Sequence, residues 1–455
     1  MKNDLRKGLI EGKYRLGIWG LGYIGYSSAA YFAKAGVRCL GNDVIAHRVR
    51  DINKGHETIH NLELWLGFKI KDLVDKKLIR ATLDWKKLIS KDIPVHLVAI
   101  PTEKSGQPYD KILIDVIGKL CNFKKIKMSH PPVVIIESTL TPNKVEQVVI
   151  PLFESKGLKV GKDILLGVAP RRDWFISPEK TLVTLPRVVG GTNEYTTKLI
   201  HEILSIVCRQ VIDAPDHRHA EMVKSIENAY RHLDIALANQ LSLAYPNINM
   251  LEVLRLVGTK WNVGTFQPSF GTGGYCIPLA PQYVLEGAQF PERLTLLKDA
   301  IITDSTQPIN VARSVLARGA KNVGVLGLAY KGDIPVTILS PAIPIIQTLQ
   351  QAKIKVKVYD PYFRDKNVVA QKTGLKVDTF AFPQGLGEFD TILIISDHSE
   401  FKFTNTVTIK NNLKKCRLIL DNPGVWSNLH FDEKIKYYRA GHKDWILGLG
   451  EGRDR

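Results

Sequence analysis

The sequence predicts an α/β protein with two Rossmann-like doubly wound domains, joined by a long central helix and a helical middle domain. A strand, a glycine turn, a helix and a second strand follow one another near the amino terminus, and a unit of the same layout starts near residue 322. Between these units, His219 to Tyr245 has helical periodicity. A chain of 455 residues is long enough for about three domains with separate cores. We place their bounds at 1–212, 213–317 and 318–455.

Composition narrows the class of protein. A hydrophobic content of 44% and a charged content of 24% are typical of a globular protein. No apolar run approaches the ~18 residues of a membrane span, and the charged start lacks a signal-peptide core. Five scattered cysteines without metal-ligand spacing predict a reducing, cytoplasmic location and no metal.

A formal charge of +18 has two interpretations. Nucleic-acid binding is one, because an excess of Lys and Arg is its electrostatic signature. The basic residues are spread along the chain and no nucleic-acid motif is present, which favours a solvated basic surface that attracts anionic ligands such as nucleotides. We therefore expect neither a nucleic acid nor a membrane as a partner.

The first α/β unit carries a dinucleotide-binding motif. Tyr14 to Trp19 reads as a strand, the turn G-L-G-Y-I-G leads into a helix at Tyr26 to Ala35, and Asp43 follows a second strand. Glycines admit a pyrophosphate to the helix start, and Asp43 suits ribose hydroxyls but would repel a 2′-phosphate, so NAD is favoured over NADP. Arg48 either reaches the adenine or is a surface arginine. The expected cofactor residues of this unit are Gly20, Gly22, Tyr23, Ile24, Gly25, Asp43 and Arg48.

Further strands end in small polar residues. Val95 to Ile100 precedes Pro101 and Thr102, and Val133 to Ile136 precedes Glu137-Ser138-Thr139. In open α/β sheets, ligands bind at the carboxyl edge of the strands. We therefore expect Pro101, Thr102 and Thr139 beside the cofactor.

Two features in the middle of the chain are candidate catalytic sites. Lys224 and Asn228 are four residues apart and share one helix face, either as a functional pair or as a solvent-facing one. The stretch F-G-T-G-G-Y-C-I-P-L-A, residues 270–280, places Cys276 behind glycines that let the backbone approach a ligand. Pro278 predicts a helix start, whose partial positive charge favours a thiolate. The alternative is a buried small hydrophobic residue in a glycine-rich turn.

The second α/β unit repeats the first. Asn322 to Leu326 reads as a strand that leads to G-L-A-Y-K, and Ser340-Pro341 opens a helix. Lys355 to Tyr359 then ends at Asp360, as the second strand of the first unit ends at an acid.

In the order of its motifs, the chain resembles the UDP-glucose/GDP-mannose dehydrogenase family over roughly residues 14–427. The resemblance is carried by G-L-G-Y-I-G, E-S-T, A-E-M-V-K-S-I-E-N-A-Y-R, G-T-G-G-Y-C-I-P, L-G-L-A-Y-K and V-Y-D-P. The central helix is most similar to members that oxidise UDP-N-acetylhexosamines. The resemblance implies a homodimer that acts in polysaccharide biosynthesis, with a UDP-binding carboxyl-terminal domain.

The resemblance also implies a reaction and its residues. It implies oxidation of C6 of a nucleotide sugar from alcohol to carboxylate with two NAD. Lys224 and Asn228 would stabilise the developing alkoxide, Cys276 would form a thiohemiacetal and then a thioester, and Thr139 would help to hold water. The residues implied to contact the substrate are Lys224, Asn228, Phe270, Gly273, Gly274, Tyr330 and Lys331.

The chain departs from the family pattern where acids and arginines are expected. Arg171 stands in place of a Glu, Ala280 of an Asp that positions water, Ile338 of an Arg near NAD, and Pro423 of a substrate Arg. The charge of Arg171 would lower the pKa of a neighbouring lysine or cysteine, and Asp173 is a possible substitute base. No arginine precedes the glycine loop in residues 261–268.

These departures leave three functions open. The first is the full oxidation to a carboxylate. The second is an oxidoreductase that stops at an aldehyde or ketone, or that epimerises the sugar. The third is a non-catalytic protein that binds NAD or a nucleotide sugar.

Overall fold

The computed structural model describes residues 2–172 and 179–447. They form two compact units. The first unit comprises Met1–Glu227 and Tyr283–Gln289, and the second comprises Asn228–Gln282 and Phe290–Arg455. The division into three domains at 1–212, 213–317 and 318–455 stays a prediction.

The first unit is built on a large sheet. In chain order, its strands are β1 (Arg15–Trp19), β2 (Arg38–Asn42), β3 (Ile79–Thr82), β4 (Val95–Val98), β5 (Glu103–Lys104), β6 (Gln107–Pro108), β7 (Val133–Ile136), β8 (Leu165–Val168), β9 (Arg187–Gly191) and β10 (Val211–Asp213). Among the described residues, the sheet has the strand order β10-β9-β8-β7-β4-β1-β2-β3, while β5 and β6 form a separate hairpin. Neighbouring strands are parallel except β8 and β9. The order reverses between β1 and β4, which marks the ligand-binding edge of a doubly wound sheet.

Helices cover this sheet. Those of the first unit are α1 (Lys2–Ile10), α2 (Tyr23–Lys34), α3 (Ala46–Asn53), α4 (Leu62–Leu66), α5 (Lys71–Asp75), α6 (Lys111–Leu120), α7 (Ile150–Ser155) and α8 (Glu194–Leu204). Short 3₁₀-helices lie at Trp85–Leu88 and Cys121–Lys125, and a π-helical segment at Val145–Val149 leads into α7. Strands β4, β7 and β8 are buried along their whole length. Continuous apolar strands of this kind are typical of parallel sheets with both faces covered.

The long helix α9 (His217–Ala244) begins in the first unit and continues into the second. The other helices are α10 (Met250–Val257), α11 (Ala280–Gly287), α12 (Thr295–Ala317), α13 (Ala342–Gln351), α14 (Lys366–Thr373), α15 (Ser399–Phe403) and α16 (Thr406–Asn412), with turns at Pro291–Arg293 and Gln384–Glu388. No helix in the described ranges combines the length and apolar character needed to cross a bilayer.

The second unit contains a parallel sheet. Its strands are β11 (Asn322–Leu326), β12 (Lys355–Tyr359), β13 (Asp378–Thr379), β14 (Thr391–Ile394), β15 (Leu418–Asp421) and β16 (Lys436–Arg439). In the described part of this unit, the strand order is β13-β12-β11-β14-β15-β16, with the same reversal between the first and fourth strands as in the first unit. The predicted class, two Rossmann-like units with a long central helix, is confirmed. Strand β16 was not predicted from the sequence; it pairs in parallel with β15 and is the last strand of this sheet among the described residues.

Candidate active site

The three glycines of the turn between β1 and α2 have two different roles. A Cβ on Gly25 would overlap the carbonyl oxygen of Gly20, and a Cβ on Gly20 would overlap that of Ala99. These two glycines are therefore required by the packing of the chain itself. A Cβ on Gly22, the N-cap of α2, would meet no atom within 4 Å. Gly22 thus leaves room at a helix start, where a pyrophosphate approaches.

Asp43 ties this turn to the end of β2. Its carboxylate is 6% exposed and accepts hydrogen bonds from the backbone N–H groups of Leu21 and Ile45, each at 2.9 Å. Arg48 donates to the same carboxylate at 2.9 Å, so Arg48 is an ion-pair partner of Asp43 rather than an isolated surface arginine. Contacts of Asp43 with ribose and of Arg48 with adenine stay predictions.

Two of the predicted cofactor residues, Thr102 and Thr139, are hydrogen-bonded to each other at the carboxyl edge of the first sheet. The Thr102 hydroxyl donates to the carbonyl oxygen of Thr139 at 2.6 Å, and the Tyr283 hydroxyl donates to the carbonyl oxygen of Thr102 at 2.9 Å. Ser138 fixes the same loop by accepting from the N–H of Ile100 at 2.8 Å. This edge is therefore rigidly organised through hydroxyl groups.

Two other predicted cofactor residues lie on the surface of this unit. Pro101 is exposed, directly before Thr102. Tyr23 is half-buried, with its ring 5.9 Å from that of Trp65. The structure provides no ligand contact for either residue, so their roles stay predictions.

Arg171 lies in a buried polar network beneath α2. Its guanidinium is 4% exposed and donates to the Ser28 hydroxyl at 2.6 Å and to the carbonyl oxygen of Ile24 at 3.2 Å. Ser28 donates to Glu137 at 2.7 Å, and Glu137 pairs with Arg187 at 2.7 Å. The guanidinium thus supports the helix that follows the glycine turn, and these contacts do not support the expected effect on a catalytic lysine or cysteine. The possible substitute base, Asp173, lies outside the described residues.

Helix α9 presents the predicted lysine and asparagine. Lys224 is half-buried and Asn228 is 4% exposed, so the interpretation as a solvent-facing pair is wrong for Asn228. Arg231, one turn further along, donates to the Asn228 side-chain oxygen at 3.5 Å. Nearer the helix start, Glu221 accepts from the N–H of Val145 at 3.1 Å, and burial raises the pKa of Glu221 to about 7. This contact anchors the first turns of α9 in the first unit.

Cys276 differs from the other cysteines in its surroundings. Cys276 is exposed, whereas the other four are buried. Burial raises the pKa of the Cys39 and Cys121 thiols, and it raises the pKa of Cys416 to about 12. The interpretation of a buried hydrophobic cysteine therefore fits the buried four and is wrong for Cys276. The helix begins at Ala280, later than Pro278 suggests, and the N–H of Ala280 donates to the carbonyl oxygen of Cys276 at 3.3 Å.

The loop before Cys276 is held from its start. The Phe270 side chain is fully buried and stacks on Trp445, with the ring centroids 5.8 Å apart and an interplanar angle of 3°. The N–H of Phe270 donates to the Asn422 side chain at 2.8 Å. Thr272 is bound by Asp304 of α12 through its N–H at 2.8 Å and its hydroxyl at 2.5 Å. The ring of Phe270 thus supports the loop, and a substrate contact by this residue stays a prediction.

Gly273 and Gly274 pack on Tyr330. A Cβ on Gly273 would lie 2.5 Å from Cβ of Tyr330, and a Cβ on Gly274 would lie 2.6 Å from its ring. The N–H of Gly274 also donates to the carbonyl oxygen of Ile338 at 2.9 Å. Close packing against Tyr330 is thus sufficient to require both glycines, and their contact with a ligand stays a prediction.

Lys331 lies in a loop fixed by acids at the end of β14. The N–H of Gly332 donates to Asp397 at 3.0 Å, and Asp397 pairs with Lys402 at 2.6 Å. Burial lowers the pKa of Lys331, with an opposing effect of Asp397. Asp360 follows β12 and accepts hydrogen bonds from the N–H groups of Leu328 and Ala329, which precede Lys331 in the same turn. In the first unit, Asp43 accepts from the N–H of Leu21 in the glycine turn in the same way.

Comparisons with known proteins cover nearly the whole chain. The descriptions of three matching family models are the NAD binding domain of the UDP-glucose/GDP-mannose dehydrogenase family at residues 14–207, its central domain at 218–303 and its UDP binding domain at 324–428. The chain belongs to the UDP-glucose/GDP-mannose dehydrogenase family. It is an NAD-dependent nucleotide-sugar dehydrogenase, and NAD fits the open N-cap at Gly22 and the acid at Asp43.

Relatives within this family match over most of their length. A UDP-N-acetyl-D-mannosamine dehydrogenase of Methanococcus aeolicus is 28% identical, with 94% of this chain and 95% of the relative covered. An NDP-N-acetyl-D-galactosaminuronic acid dehydrogenase of Ralstonia solanacearum is 28% identical, with 90% and 96% covered. The solved UDP-D-ManNAc dehydrogenase of Pyrococcus horikoshii is 25% identical, with a TM-score of 0.79 and coverage of 94% of this chain and 100% of that one.

The departures from the family pattern have defined places in this dehydrogenase. Ala280 is 2% exposed at the first position of α11. Pro423 follows Asn422, whose amide bridges the carbonyl oxygen of Ile395 and the N–H of Phe270. Ala280 is therefore buried, and Pro423 directly follows a residue that holds the backbone at Phe270 and Ile395.

Several contacts of this site were missed by reading the sequence. Arg231 carries a signal that could have found it, because it lies three residues from Asn228 on the same helix face. Within the second unit, Asp304 and Asn422 bind the glycine loop, and within the first unit Tyr283 binds Thr102. The partners in each contact are distant in sequence, so no local spacing marks them.

Proposed function

We propose that this dehydrogenase oxidises C6 of a UDP-N-acetylhexosamine from alcohol to carboxylate. The exposed thiol of Cys276, on a loop held by Thr272 and Phe270, is the observation that carries the proposal. The substrate class rests on relatives that are named for N-acetylmannosamine and N-acetylgalactosaminuronic acid nucleotides.

The first oxidation is assigned to residues of α9. NAD, when bound, accepts the hydride from C6 in each oxidation. The ammonium group of Lys224 stabilises negative charge on the C6 oxygen as its proton passes to solvent water, and the Asn228 amide donates to the same oxygen. Arg231 accompanies Asn228 through its contact with the amide oxygen, which leaves the amide N–H groups for the substrate.

The second oxidation needs the thiol. The Cys276 thiolate adds to the aldehyde carbon and gives a thiohemiacetal, which prevents escape of the aldehyde. Loss of a hydride from this adduct gives a thioester, and water then releases the carboxylate and the thiol. We assign the positioning of that water to Thr139, whose backbone is held by Thr102.

The sugar nucleotide is assigned to the second unit. Lys331 and Tyr330 follow β11 at its carboxyl edge, where ligands of doubly wound sheets bind. Burial lowers the pKa of the Lys331 ammonium group, and a partly buried ammonium group interacts more strongly with an anionic ligand than a solvated one. Gly273 and Gly274 keep the loop against Tyr330 beside it.

A second candidate function is oxidation that ends at the aldehyde. The buried Ala280 favours it, because a methyl group cannot hold the hydrolytic water that the family's acid holds. Product mass separates the two functions, since a carboxylate adds about 14 Da and an aldehyde removes about 2 Da.

The test is a screen of UDP- and GDP-sugars for NADH formation, with the product analysed by mass spectrometry. We expect a UDP-N-acetylhexosamine to give two NADH per sugar. Cys276→Ser should abolish formation of the acid, whereas Cys208→Ala, which alters a buried thiol, should retain it. Binding of NAD and UDP-sugars without any NADH would contradict the proposal and favour a non-catalytic role.

We also propose a cytoplasmic homodimer. Exposed apolar side chains support this proposal: Tyr230 and Leu237, seven residues apart on α9, are 67% and 54% exposed. Leu256 at 53% and Trp261 at 93% add to the apolar surface of the second unit. A second copy would cover such side chains. Light scattering of the full chain should give twice its mass, and Leu237→Glu should shift it towards the monomer.

A further inference from the structure

We propose that Arg439 binds the anionic part of the nucleotide sugar. This inference rests on the function proposed above and adds a ligand-binding residue to it. Arg439 is the last residue of β16, in register with Asp421 of β15, at the carboxyl edge of the second sheet. Ligands of doubly wound sheets bind at this edge.

The side chain of Arg439 packs against Gly424, in the turn after β15. A Cβ on Gly424 would lie 2.6 Å from both Cδ and Nε of Arg439. Gly424 has a φ of 78° and follows Pro423, so the turn after β15 carries no side chain at the place where the arginine packs. The absence of a side chain at Gly424 therefore lets the Arg439 side chain pack closely against the turn.

The position of Arg439 also connects it to the loop that leads to Cys276. Its guanidinium donates to the side-chain oxygen of Gln267 at 2.7 Å. Three residues later, Phe270 is held by Asn422 of the same β15 turn. Arg439 and Asn422 thus hold the beginning of the glycine loop at two points of one sheet edge.

The charge of Arg439 has no carboxylate partner within ion-pair distance in residues 2–172 and 179–447. The nearest acid along the ladder, Asp421, is fully buried and accepts from the Tyr437 hydroxyl and from the N–H groups of Gly424 and Trp426. The charge of Arg439 lowers the pKa of His442, after the larger effect of burial. A half-buried guanidinium that faces a neutral amide has donors left for an anion.

A diphosphate is the anion that best fits this arrangement. Guanidinium groups bind phosphate oxygens through paired N–H donors, and a nucleotide sugar carries its negative charge on the diphosphate. We therefore assign Arg439 to the diphosphate of the substrate, where it would replace the cation that Pro423 cannot supply. The hydrogen bond to Gln267 holds the guanidinium in place.

The test measures binding rather than turnover. The full-length protein, Arg439→Gln and Arg439→Lys are titrated with UDP, with UDP-N-acetylglucosamine and with NAD by calorimetry. Arg417→Gln is the matched control. Arg417 is an exposed arginine next to the amino end of β15, and its substitution removes the same charge at the opposite edge of the sheet.

We expect Arg439→Gln to weaken UDP and UDP-N-acetylglucosamine binding by about 10- to 100-fold, the usual effect of losing a charged hydrogen bond. NAD affinity should remain unchanged, and the melting temperature should fall by no more than about 2–4 °C for the lost bond to Gln267. Arg439→Lys should recover part of the loss of UDP affinity, and Arg417→Gln should bind UDP within about twofold of the natural protein. Equal UDP affinity in Arg439→Gln, or an equal loss in Arg417→Gln, would overturn the assignment. If the natural protein binds neither UDP nor the UDP-sugar, the proposed function itself fails and the assignment fails with it.

Discussion

Replacing Gly22 or Gly25 by alanine should separate cofactor binding from folding. A Cβ on Gly22 meets no atom within 4 Å, and the residue has φ −74° and ψ −164°, which alanine adopts freely. The remaining cost is that of alanine at an N-cap, about 1 kcal/mol. Gly22→Ala should therefore melt within about 2–4 °C of the natural protein. Its methyl group would nevertheless occupy the space where the pyrophosphate approaches, so NAD should bind about 10-fold more weakly or worse.

Gly25→Ala should mainly reduce the stability of the fold. Its Cβ would overlap the backbone oxygen of Gly20, which cannot rotate away as a side chain could. Overpacking costs about 3 kcal/mol here, and the better helix propensity of alanine returns about 1 kcal/mol, so the net loss is about 2 kcal/mol. That corresponds to a fall in melting temperature of about 4–8 °C.

Scanning fluorimetry without ligand and calorimetric titration with NAD measure the two effects separately. UDP binding should stay unchanged in both variants, which controls for general misfolding. Natural NAD affinity in a stable Gly22→Ala protein would refute the role of this space. A large loss of stability in Gly22→Ala would refute the description of the turn.

Three further substitutions test individual buried contacts of Glu221, Arg171 and Asn422. Because burial raises the pKa of Glu221 from 4.5 to about 7, the folded protein holds this proton more tightly, and stability should fall as the pH rises between these values; Glu221→Gln should flatten that fall in melts from pH 4 to 8. Arg171→Met removes the donors to Ser28 and should cost about 3 kcal/mol of stability, measured by denaturant unfolding, while UDP affinity stays natural. Asn422→Ala removes the bond to the N–H of Phe270 and should raise KM for the sugar nucleotide, but not for NAD, by about fivefold; an equal rise in both would count against a local role.

Local sequence determined both Rossmann units. The glycine turn and Asp43 are readable because strand, turn, helix and acid lie within about thirty consecutive residues, and each has its own physical signature. Lys224 and Asn228 are readable for the same reason, since helical periodicity alone places residues four apart on one face. The thiol at Cys276 could be proposed from its glycines, but its exposure could not.

Only the tertiary structure decided what surrounds these residues. Arg171 reads as a charge reversal in the sequence, yet its side chain turns into a buried network with Ser28 and Glu137. Arg439 shows no motif at all, and it reaches Gln267 because β16 pairs with β15 across fourteen intervening residues. Spacing along the chain describes one helix or one turn, whereas the direction of a long side chain depends on packing between segments that are far apart in sequence.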